Sequence, residues 1–404
     1  MNFVPMREVV RFAIGGGWGS DREVDGSVLT RVIRGADFPE ASEQNLTNAP
    51  LRWEKESKVK TRALSAGDIV LEVSGGTKDR PTGRTVLVTQ KMVDESVSPL
   101  IPASFCRKVQ INREVADPKF VYYWLQLMHK SGRAWKHQNQ STGIANFQFE
   151  QFLDNEFLWL PSLKTQQVIA SSLGSLDDKI AANHRVIRIS IELAESLVTR
   201  SLTAGYTRLS EVAKITMGTS PKGAFLSEEI TGLPFYQGVR DFGEITPQQR
   251  IYTDNPVREA AAGDILFAVR APVGEVNIAS GHTAIGRGLA AIRGMKNHNA
   301  LFYLLRSRPE IWNTHQDSGT VFASINKTDL ANALIPEVEM NSTDAALLDE
   351  LHREALSLTS QNNTLSKTRD ELLPLLMSGK ITVREAGQEA AAAGAQIPSE
   401  ENEV

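Results

Sequence analysis

Apolar side chains recur at alternating steps of three and four residues along two segments of the chain. The first segment has Leu173, Leu176, Ile180, Asn183, Ile187, Ser190, Ala194 and Leu197 at these positions, and the second has Leu348, Leu351, Ala355, Leu358, Asn362, Leu365, Arg369, Leu372 and Leu376. This period predicts two helices of about four heptads, each packing through one seam. One asparagine lies in the middle of each seam, at Asn183 and Asn362, where a polar residue fixes helix register.

A helix from Gln166 to Leu202 would be about 55 Å long, which is longer than a domain of this size is wide. We therefore expect the two helices to extend beyond the domains and to pack antiparallel as a coiled-coil strut. The alternative is that each helix packs amphipathically on its own domain.

The rest of the chain repeats itself. MREVVRFAIGGGWGS (6–20) matches LSEVAKITMGTSPKG (209–223) at an offset that aligns Gly15 with Gly218. LSAGDIVLEVSGGT (64–77) matches AAAGDILFAVRAPV (260–273), where Gly-Asp predicts a turn and the alternation after it predicts a strand. The matches continue from FVYYWL (120–125) to ALFYLL (300–305), and from FLWLPSL (157–163) to NALIPEV (332–338), where we expect a strand that is ended by the proline. Alternating strand patterns and helical stretches in both copies predict a tandem duplication of one α+β domain.

The pattern predicts five segments along the chain. They are a first domain at 1–162, a first helix at 163–205, a second domain at 206–337, a second helix at 338–383 and an Ala/Glu-rich tail at 384–404, which we expect to be disordered.

The stretch FAIGGGWGS (12–20) resembles a phosphate-cradling glycine loop, and Asp37 follows at the distance of a ribose-binding acid. However, MREVVRF before it has the mixed pattern of a half-exposed strand, and SDREVDGS after it has no helical period. The second copy reads GTSPKG, which is not a cofactor loop. We therefore expect a structural turn, with a dinucleotide or S-adenosylmethionine loop as the alternative.

Composition narrows the class of protein. The net charge of −4 argues against general coating of a polyanion, although residues 1–162 and residues 206–336 each carry a slight excess of basic side chains. Cys106 is the only cysteine, so we expect a buried structural thiol, without disulfides or cysteine-based zinc sites. No segment has the length or pattern of a membrane span or a signal peptide, which predicts a cytoplasmic protein.

Catalytic motifs are absent from the sequence. DNPV (254–257) is the nearest approach to an amino-methyltransferase element, but it lacks the second proline and the aromatic residue. The sequence has no phosphate-binding lysine motif, no paired-histidine metal spacing and no nucleophile elbow, and its seven histidines are scattered. We therefore expect neither an enzyme nor a metal site.

The chain resembles the specificity (S) subunit of a type I restriction–modification system. The resemblance is carried by TQQVIASSLGSLDDKIAANHRVI (165–187), GDILFAVRAPVGEVNIAS (263–280), SINKTDL (324–330) and NNTLSKTRDELLPLLMSGKI (362–381). It implies two target recognition domains separated by two antiparallel helices, and a function in reading a bipartite, asymmetric DNA target.

The resemblance also implies partners and cofactors. Two M subunits would hold S-adenosylmethionine and methylate adenine, while R subunits would use ATP and Mg²⁺ for cleavage. The S subunit would bind double-stranded DNA and no cofactor, and the helices would set the gap between the two half-sites.

Base and phosphate contacts prefer Arg, Lys, Asn and Gln on loops. In the first domain the candidates are Lys78, Arg80 and Arg84 in SGGTKDRPTGR (74–84), and Gln138, Asn139 and Gln140 in HQNQSTG (137–143). In the second domain we expect Lys222, Arg240, Arg270 and Arg287 to hold matching places. A protein-interaction scaffold with duplicated binding domains is the alternative function.

Overall fold

The computed structural model describes residues 2–141, 144–312 and 324–394. The chain divides into two units, unit 1 (Met1–Ala182 with Gln361–Val404) and unit 2 (Asn183–Ser360). This division differs from the five segments expected from the sequence, because each unit combines one globular part with half of each long helix. The helix seams belong to the same apolar clusters as the globular cores.

Unit 1 contains the first copy of the α+β domain. Its strands are β1 (Phe3–Pro5), β2 (Val10–Gly15), β3 (Ser27–Ile33), β4 (Leu51–Lys55), β5 (Ile69–Glu72), β6 (Ser74–Gly76), β7 (Thr85–Leu87), β8 (Leu100–Pro102), β9 (Cys106–Ile111), β10 (Gln138–Ser141), β11 (Ile144–Phe147) and β12 (Phe157–Trp159). Its helices are α1 (Met6–Val9), α2 (Phe38–Ser42), α3 (Glu56–Arg62), α4 (Gln90–Glu95), α5 (Pro118–Lys130), α6 (Phe149–Asn155) and the first part of α7 (Leu163–Arg200).

Unit 2 contains the second copy. Its strands are β13 (Leu202–Arg208), β14 (Ala213–Met217), β15 (Leu226–Ser227), β16 (Leu233–Tyr236), β17 (Tyr252–Thr253), β18 (Glu259–Ala260), β19 (Ile265–Ala268), β20 (Val276–Ile278), β21 (Thr283–Ile285), β22 (Leu289–Gly294) and β23 (Leu334–Val338). Its helices are the second part of α7, α8 (Leu209–Val212), α9 (His298–Ser307), α10 (Lys327–Asn332) and the first part of α11 (Ser342–Met377).

The two copies share one sheet topology, which confirms the duplication. The central antiparallel sheet has the order β2-β9-β5-β7 in unit 1 and β14-β22-β19-β20 in unit 2. A second sheet in each unit contains one parallel pair, β3 with β8 and β16 with β21. Helices α5 and α9 supply buried residues to the two main cores.

The Gly-Asp turn before the central strand has the same construction in both copies. Gly67 and Gly263 adopt φ values of +91° and +82°, a region that favours glycine. The carboxylate of Asp68 accepts the backbone N–H of Ser65, and Asp264 caps the second turn in the same way. The predicted turn followed by a strand is therefore confirmed in both domains.

One β-bulge changes the alignment of the glycine turns. Between Val10 and Phe12 the register of β2 against β9 shifts, so β2 holds one residue more than β14. Gly16 donates its N–H to Cys106, as Gly218 donates to Leu289, both at 2.9 Å. Gly16, and not Gly15, is therefore the counterpart of Gly218, and the constant offset expected from the sequence was wrong here.

Two local expectations also need correction. Part of MREVVRF forms the short helix α1 and not a continuous strand. Strand β23 runs past Pro336, which pairs with Tyr206, so this proline does not end the strand.

The two long helices form as the apolar period predicts. In the first seam Leu173, Leu176, Ile180, Asn183 and Ile187 are all buried. In the second seam Leu365 and Asn362 are buried, and Leu351 and Leu358 pack against the core of unit 2. Helix α7 ends at Arg200 and α11 ends at Met377, so both are shorter than the segments expected from the sequence.

Contacts inside each unit show that α7 and α11 are antiparallel. In unit 1, Asn362 donates from Nδ2 to the carbonyl oxygen of Ile180 at 3.3 Å, and Arg369 pairs with Asp177. In unit 2, Arg200 near the end of α7 pairs with Asp344 near the start of α11 at 2.6 Å. Asn362 thus contacts the opposite helix, as its place in the seam predicts.

The tail was expected to be disordered, and this is wrong for its first part. Helix α12 (Val383–Ala392) begins at a capping box in which Thr382 and Glu385 satisfy each other's backbone N–H groups. Ala386 and Ala390 are fully buried in the core of unit 1. Residues 395–404 lie outside the described part of the chain.

Candidate nucleic-acid interface

Loops from different strands converge at one end of the central sheet in unit 2. The hydroxyl of Ser220 donates to Oε1 of Gln237 at 2.7 Å and accepts the backbone N–H of Arg287 at 3.2 Å. Gly288 donates its N–H to the carbonyl of Gln237 at 3.1 Å and accepts the N–H of Val269 at 2.9 Å. These bonds hold four loops together as one surface, which we call face 2 (218–222, 237–240, 269–270 and 286–288).

Face 2 carries the four cations predicted for the second domain. Lys222, Arg240, Arg270 and Arg287 are all exposed, and each lies on one of the four loops or next to a residue that joins them. Among the ion pairs formed by described residues, none involves any of the four. Their guanidinium and ammonium groups are thus available for phosphates or for the acceptor edge of guanine.

Glycines allow these loops to approach each other closely. A Cβ atom at Gly218 would lie 2.2 Å from the carbonyl oxygen of Gly286, and one at Gly288 would lie 2.3 Å from that of Gln237. The turn GTSPKG therefore has a packing function.

The glycine stretch of unit 1 has the same function. The N–H groups of Gly16 and Gly17 donate to the carbonyl oxygens of Cys106 and Pro102, so they cannot face a phosphate. A Cβ at Gly16 would lie 2.1 Å from the carbonyl of Ala103. The next element along the chain is strand β3 and not a helix, which supports the structural interpretation of FAIGGGWGS.

Unit 1 has an ion cluster where cations for DNA were predicted. The carboxylate of Glu72 is 2% exposed and binds Arg84 at 2.5 and 2.9 Å and Arg80 at 3.1 Å. Arg84 also donates to the carbonyl of Gly35 and lies 5.3 Å from the ring of Phe38. Both guanidinium groups bind groups of the protein itself, so the two arginines hold the loop 74–84 in place even without a ligand.

The remaining predicted residues of unit 1 fall on a small sheet and a turn. Gln138 and Asn139 lie on strand β10, not on a loop as expected, and Gln138 accepts the backbone N–H of Thr82 at 3.0 Å. Asn139 is exposed and pairs in register with Asn146. Lys78 is exposed at the tip of the turn closed by Thr77 and Arg80. The side chain of Gln140 lies outside the described part of the structure.

The predicted cations of unit 1 and of face 2 do not occupy matching positions. In unit 1, Ser74 follows the central strand β5 and pairs with Asn146. In unit 2, Arg270 follows the corresponding strand β19 and forms an isolated bridge with Ser324. Arg270 is thus the counterpart of Ser74 and not of Arg80, and the expectation of matching places was wrong.

Trp18 and Phe105 are exposed aromatic side chains of unit 1 that the sequence did not indicate as site residues. Trp18 is 39% exposed, with the guanidinium of Arg52 stacked 4.6 Å from its ring centroid, and Phe105 is 67% exposed. Trp18 lies within the stretch FAIGGGWGS, in which the glycines are the dominant signal. Phe105 lies in a turn without identity to the second copy, so the repeat could not indicate it.

The single cysteine of the chain, Cys106, is buried. Burial raises the pKa of the Cys106 thiol to about 12, and the negative charge of Glu72 acts in the same direction. The expectation of a buried structural cysteine is confirmed, since this thiol is fully inaccessible. No cluster of three or more metal-ligating side chains occurs among the residues that the structure describes.

The chain contains two copies of one α+β domain and a pair of antiparallel helices, and its loops expose polar and basic side chains. These features are typical of a recognition protein with a duplicated binding domain. A family model of the type I restriction modification DNA specificity domain matches residues 52–193 and 204–366. The chain therefore belongs to the family of type I restriction–modification specificity subunits, whose function is to give DNA sequence specificity.

Individual relatives agree with this assignment. The chain is 30% identical over 307 residues to the type I restriction enzyme MjaX specificity subunit of Methanocaldococcus jannaschii, covering 68% of this chain and 70% of the relative. The crystal structure of the S subunit of a type I restriction–modification system from M. genitalium matches with a TM-score of 0.58 and 14% identity, over 93% of this chain and 95% of the other. The structural likeness shows the shared fold.

Within the described residues, none of the helices is long and apolar enough to cross a membrane.

Proposed function

We propose that the two units read separate halves of one bipartite DNA target, unit 2 through face 2 and unit 1 through the corresponding end of its own sheet. The observation that carries this proposal is the set of four exposed cations on face 2, without an ion-pair partner among the described residues. Two arginines, Arg270 and Arg287, can each form a bidentate pair with guanine O6 and N7. Arg240 and Lys222 suit phosphate oxygens at the groove edge.

The side chains of the two copies differ, so the two half-sites differ and the target is asymmetric. Unit 1 presents Lys78 and Asn139 and holds Arg80 and Arg84 through Glu72. An arginine held by a carboxylate is oriented in advance, and it keeps N–H groups for a further acceptor.

The long helices are proposed as the element that sets the gap between half-sites. Helix α7 is continuous from Leu163 to Arg200 and therefore passes from unit 1 into unit 2 without a break. Seven residues inserted after Ala182 and seven after Ser360 would add about 10 Å to each helix, or about three base pairs. An unchanged gap in the target of this variant would contradict the proposal.

Methylation and cleavage are proposed to belong to partner subunits. Two M subunits would supply S-adenosylmethionine and methylate adenine, and R subunits would supply ATP- and Mg²⁺-dependent cleavage. This chain would contribute DNA specificity and no catalytic group. The N–H groups of the glycine stretch are already used by protein carbonyls, which supports a chain that does not hold S-adenosylmethionine itself. The isolated chain should therefore show no thermal stabilisation by this cofactor.

Salt dependence tests DNA binding against the protein-scaffold alternative, which the comparisons do not favour. The chain, co-expressed with its methyltransferase partner, is titrated with target DNA at 50 to 200 mM salt. Phosphate contacts release counterions, so the logarithm of the affinity should fall steeply and linearly with the logarithm of salt concentration. Affinity that is independent of salt and of DNA sequence would overturn the proposal.

A further inference from the structure

Phe105 is a large apolar side chain held out into solvent by a rigid turn. The turn joins β8 to β9 and is closed by the N–H of Cys106, which donates to the carbonyl of Ala103 at 2.8 Å. The carbonyl of Phe105 accepts the N–H groups of Val73 at 2.9 Å and Ser74 at 3.3 Å. Its backbone is therefore fixed, while two thirds of its side chain, 67%, remains exposed.

The turn that holds Phe105 corresponds to the turn that holds Arg287 in face 2. In unit 2 the N–H of Leu289 donates to the carbonyl of Gly286, and the carbonyl of Gly288 accepts the N–H of Val269. The same bonds in unit 1 make Phe105 the counterpart of Gly288, and Ser104 the counterpart of Arg287. Phe105 thus lies at the position on unit 1 that corresponds to the centre of face 2.

The surface around Phe105, which we call face 1 (Trp18, Ser74, Ser104 and Phe105), carries aromatic rings and hydroxyls at positions where face 2 carries arginines. Trp18 corresponds to Ser220, because Gly17 and Thr219 donate equivalent N–H groups to Pro102 and Ile285. Ser74 and Ser104 replace the arginines of face 2. The same backbone frame therefore presents two aromatic rings and two hydroxyls on unit 1.

An apolar side chain in the major groove can recognise one base-edge group. The C5-methyl of thymine is the apolar feature that distinguishes an A·T pair there, and phenylalanine is among the residues that contact it. We propose that Phe105 contacts a thymine methyl group in the half-site read by unit 1 and is a specificity-determining residue of this chain. This inference rests on the proposed function of the two faces.

Deoxyuridine provides a direct probe, because it differs from thymidine only in this methyl group. Each thymine of the target is replaced in turn, and the affinity of the complex with the methyltransferase partner is measured. One replacement, in one half-site, should weaken binding of the wild-type complex about fourfold, the effect of one buried methyl group. Phe105→Ala should weaken binding to the thymine-containing target by a similar or larger factor. In the Phe105→Ala complex, deoxyuridine at the sensitive position should then cause no further loss of affinity.

Phe157→Ala is the matched control, because Phe157 is an exposed phenylalanine of the same unit on β12, away from face 1. This variant should keep the fourfold effect of the methyl group. Phe105→Leu should keep part of it, since leucine is apolar but shorter. Circular dichroism and thermal melting establish that each variant is folded.

Three results would overturn the inference. The first is that the losses of affinity caused by Phe105→Ala and by deoxyuridine are additive. The second is that deoxyuridine weakens binding of the Phe105→Ala and Phe157→Ala complexes equally. The third is that Phe105→Ala causes loss of the methyltransferase partner, which would place Phe105 in a protein interface. A wild-type complex without preference for its target would instead contradict the proposed function itself.

Discussion

Asp177 and Arg369 form an ion pair between the two long helices, with 2.7 Å between Oδ1 of the carboxylate and Nη1 of the guanidinium. The same carboxylate accepts the hydroxyl of Tyr123 at 2.6 Å, and Asp370 next to Arg369 pairs with Lys130. Tyr123 and Lys130 both belong to α5. Arg369 falls on a predicted seam position, so this network replaces an apolar seam contact and attaches the domain of unit 1 to the helix pair.

The pair should contribute measurably to the stability of unit 1. Asp177→Asn and Arg369→Gln each remove one charge of a partly buried ion pair, and each should lower the free energy of unfolding by about 2 kcal/mol. In a double-mutant cycle the two losses should be non-additive by about 1 to 2 kcal/mol. Lys60→Gln, on the exposed pair with Glu56, should cost under about 0.5 kcal/mol. Additive losses would show that the two residues do not act together.

Glu72 is expected to hold the loop 74–84 of unit 1 in place. Glu72→Gln leaves the guanidinium groups of Arg80 and Arg84 without a counter-charge, which should cost about 3 kcal/mol of unfolding free energy. Binding to one half-site should also weaken, because the loop loses its fixed conformation. Glu95→Gln, in an exposed helical pair with Lys91, is the control and should change neither quantity. Unchanged DNA affinity in a destabilised Glu72→Gln protein would separate this cluster from DNA reading.

The cations of face 2 should affect one half-site only. Arg270→Ala and Arg287→Ala should each weaken binding by about 1 to 3 kcal/mol and relax specificity at one base pair if the residue contacts a base. A phosphate contact would instead lower affinity for all sequences and reduce the salt slope by about one. The control is Arg353→Ala on α11, whose partner is Glu350. Variants of face 2 that behave like this control would exclude these arginines from the interface.

His352 should make the stability of unit 2 depend on pH. Burial lowers the pKa of this side chain to about 4, with a smaller contribution from His298, whereas Asp349 acts in the opposite direction. Its pKa in the unfolded chain is about 6.5, so between pH 6.5 and 4 the unfolded state binds a proton that the folded state does not. Stability from this residue is therefore complete above the unfolded pKa and is lost as the pH falls.

Chemical unfolding at pH 7 and pH 5 measures this effect. The free energy of unfolding should fall by about 2 kcal/mol more in the wild type than in His352→Asn. The variant should also lose the contact between His352 Nδ1 and the hydroxyl of Tyr303, which are 3.3 Å apart. Parallel pH dependence in the two proteins would show that His352 is not held neutral by the fold.

The sequence predicted the features that depend on local periodicity. The seam residues Leu173, Leu176 and Ile180 are buried because a heptad pattern depends only on residues a few positions apart. The Gly-Asp turns were likewise visible in both copies. The capping box of Thr382 and Glu385 is also a local signal, and it could have shown the helix that the Ala/Glu-rich composition of the tail concealed.

Features that depend on distant contacts could not be predicted. Arg80 and Arg84 look like free cations in the sequence, because nothing local indicates that Glu72 is buried between them. The correspondence between Phe105 and Gly288 depends on backbone hydrogen bonds in two turns whose sequences have no identical residue. The four cations of face 2 were found by residue type and loop position, and their contact with DNA remains a prediction.

Sequencing of methylated adenines tests whether this chain gives a complex its DNA target. Genomic DNA from cells that express the chain with its methyltransferase partner is compared with DNA from cells that express the partner alone. We expect a new asymmetric motif of two short half-sites with a fixed gap, present only when this chain is expressed, which would show that this chain determines the target. Absence of a new motif, with a partner shown to be active, would contradict it.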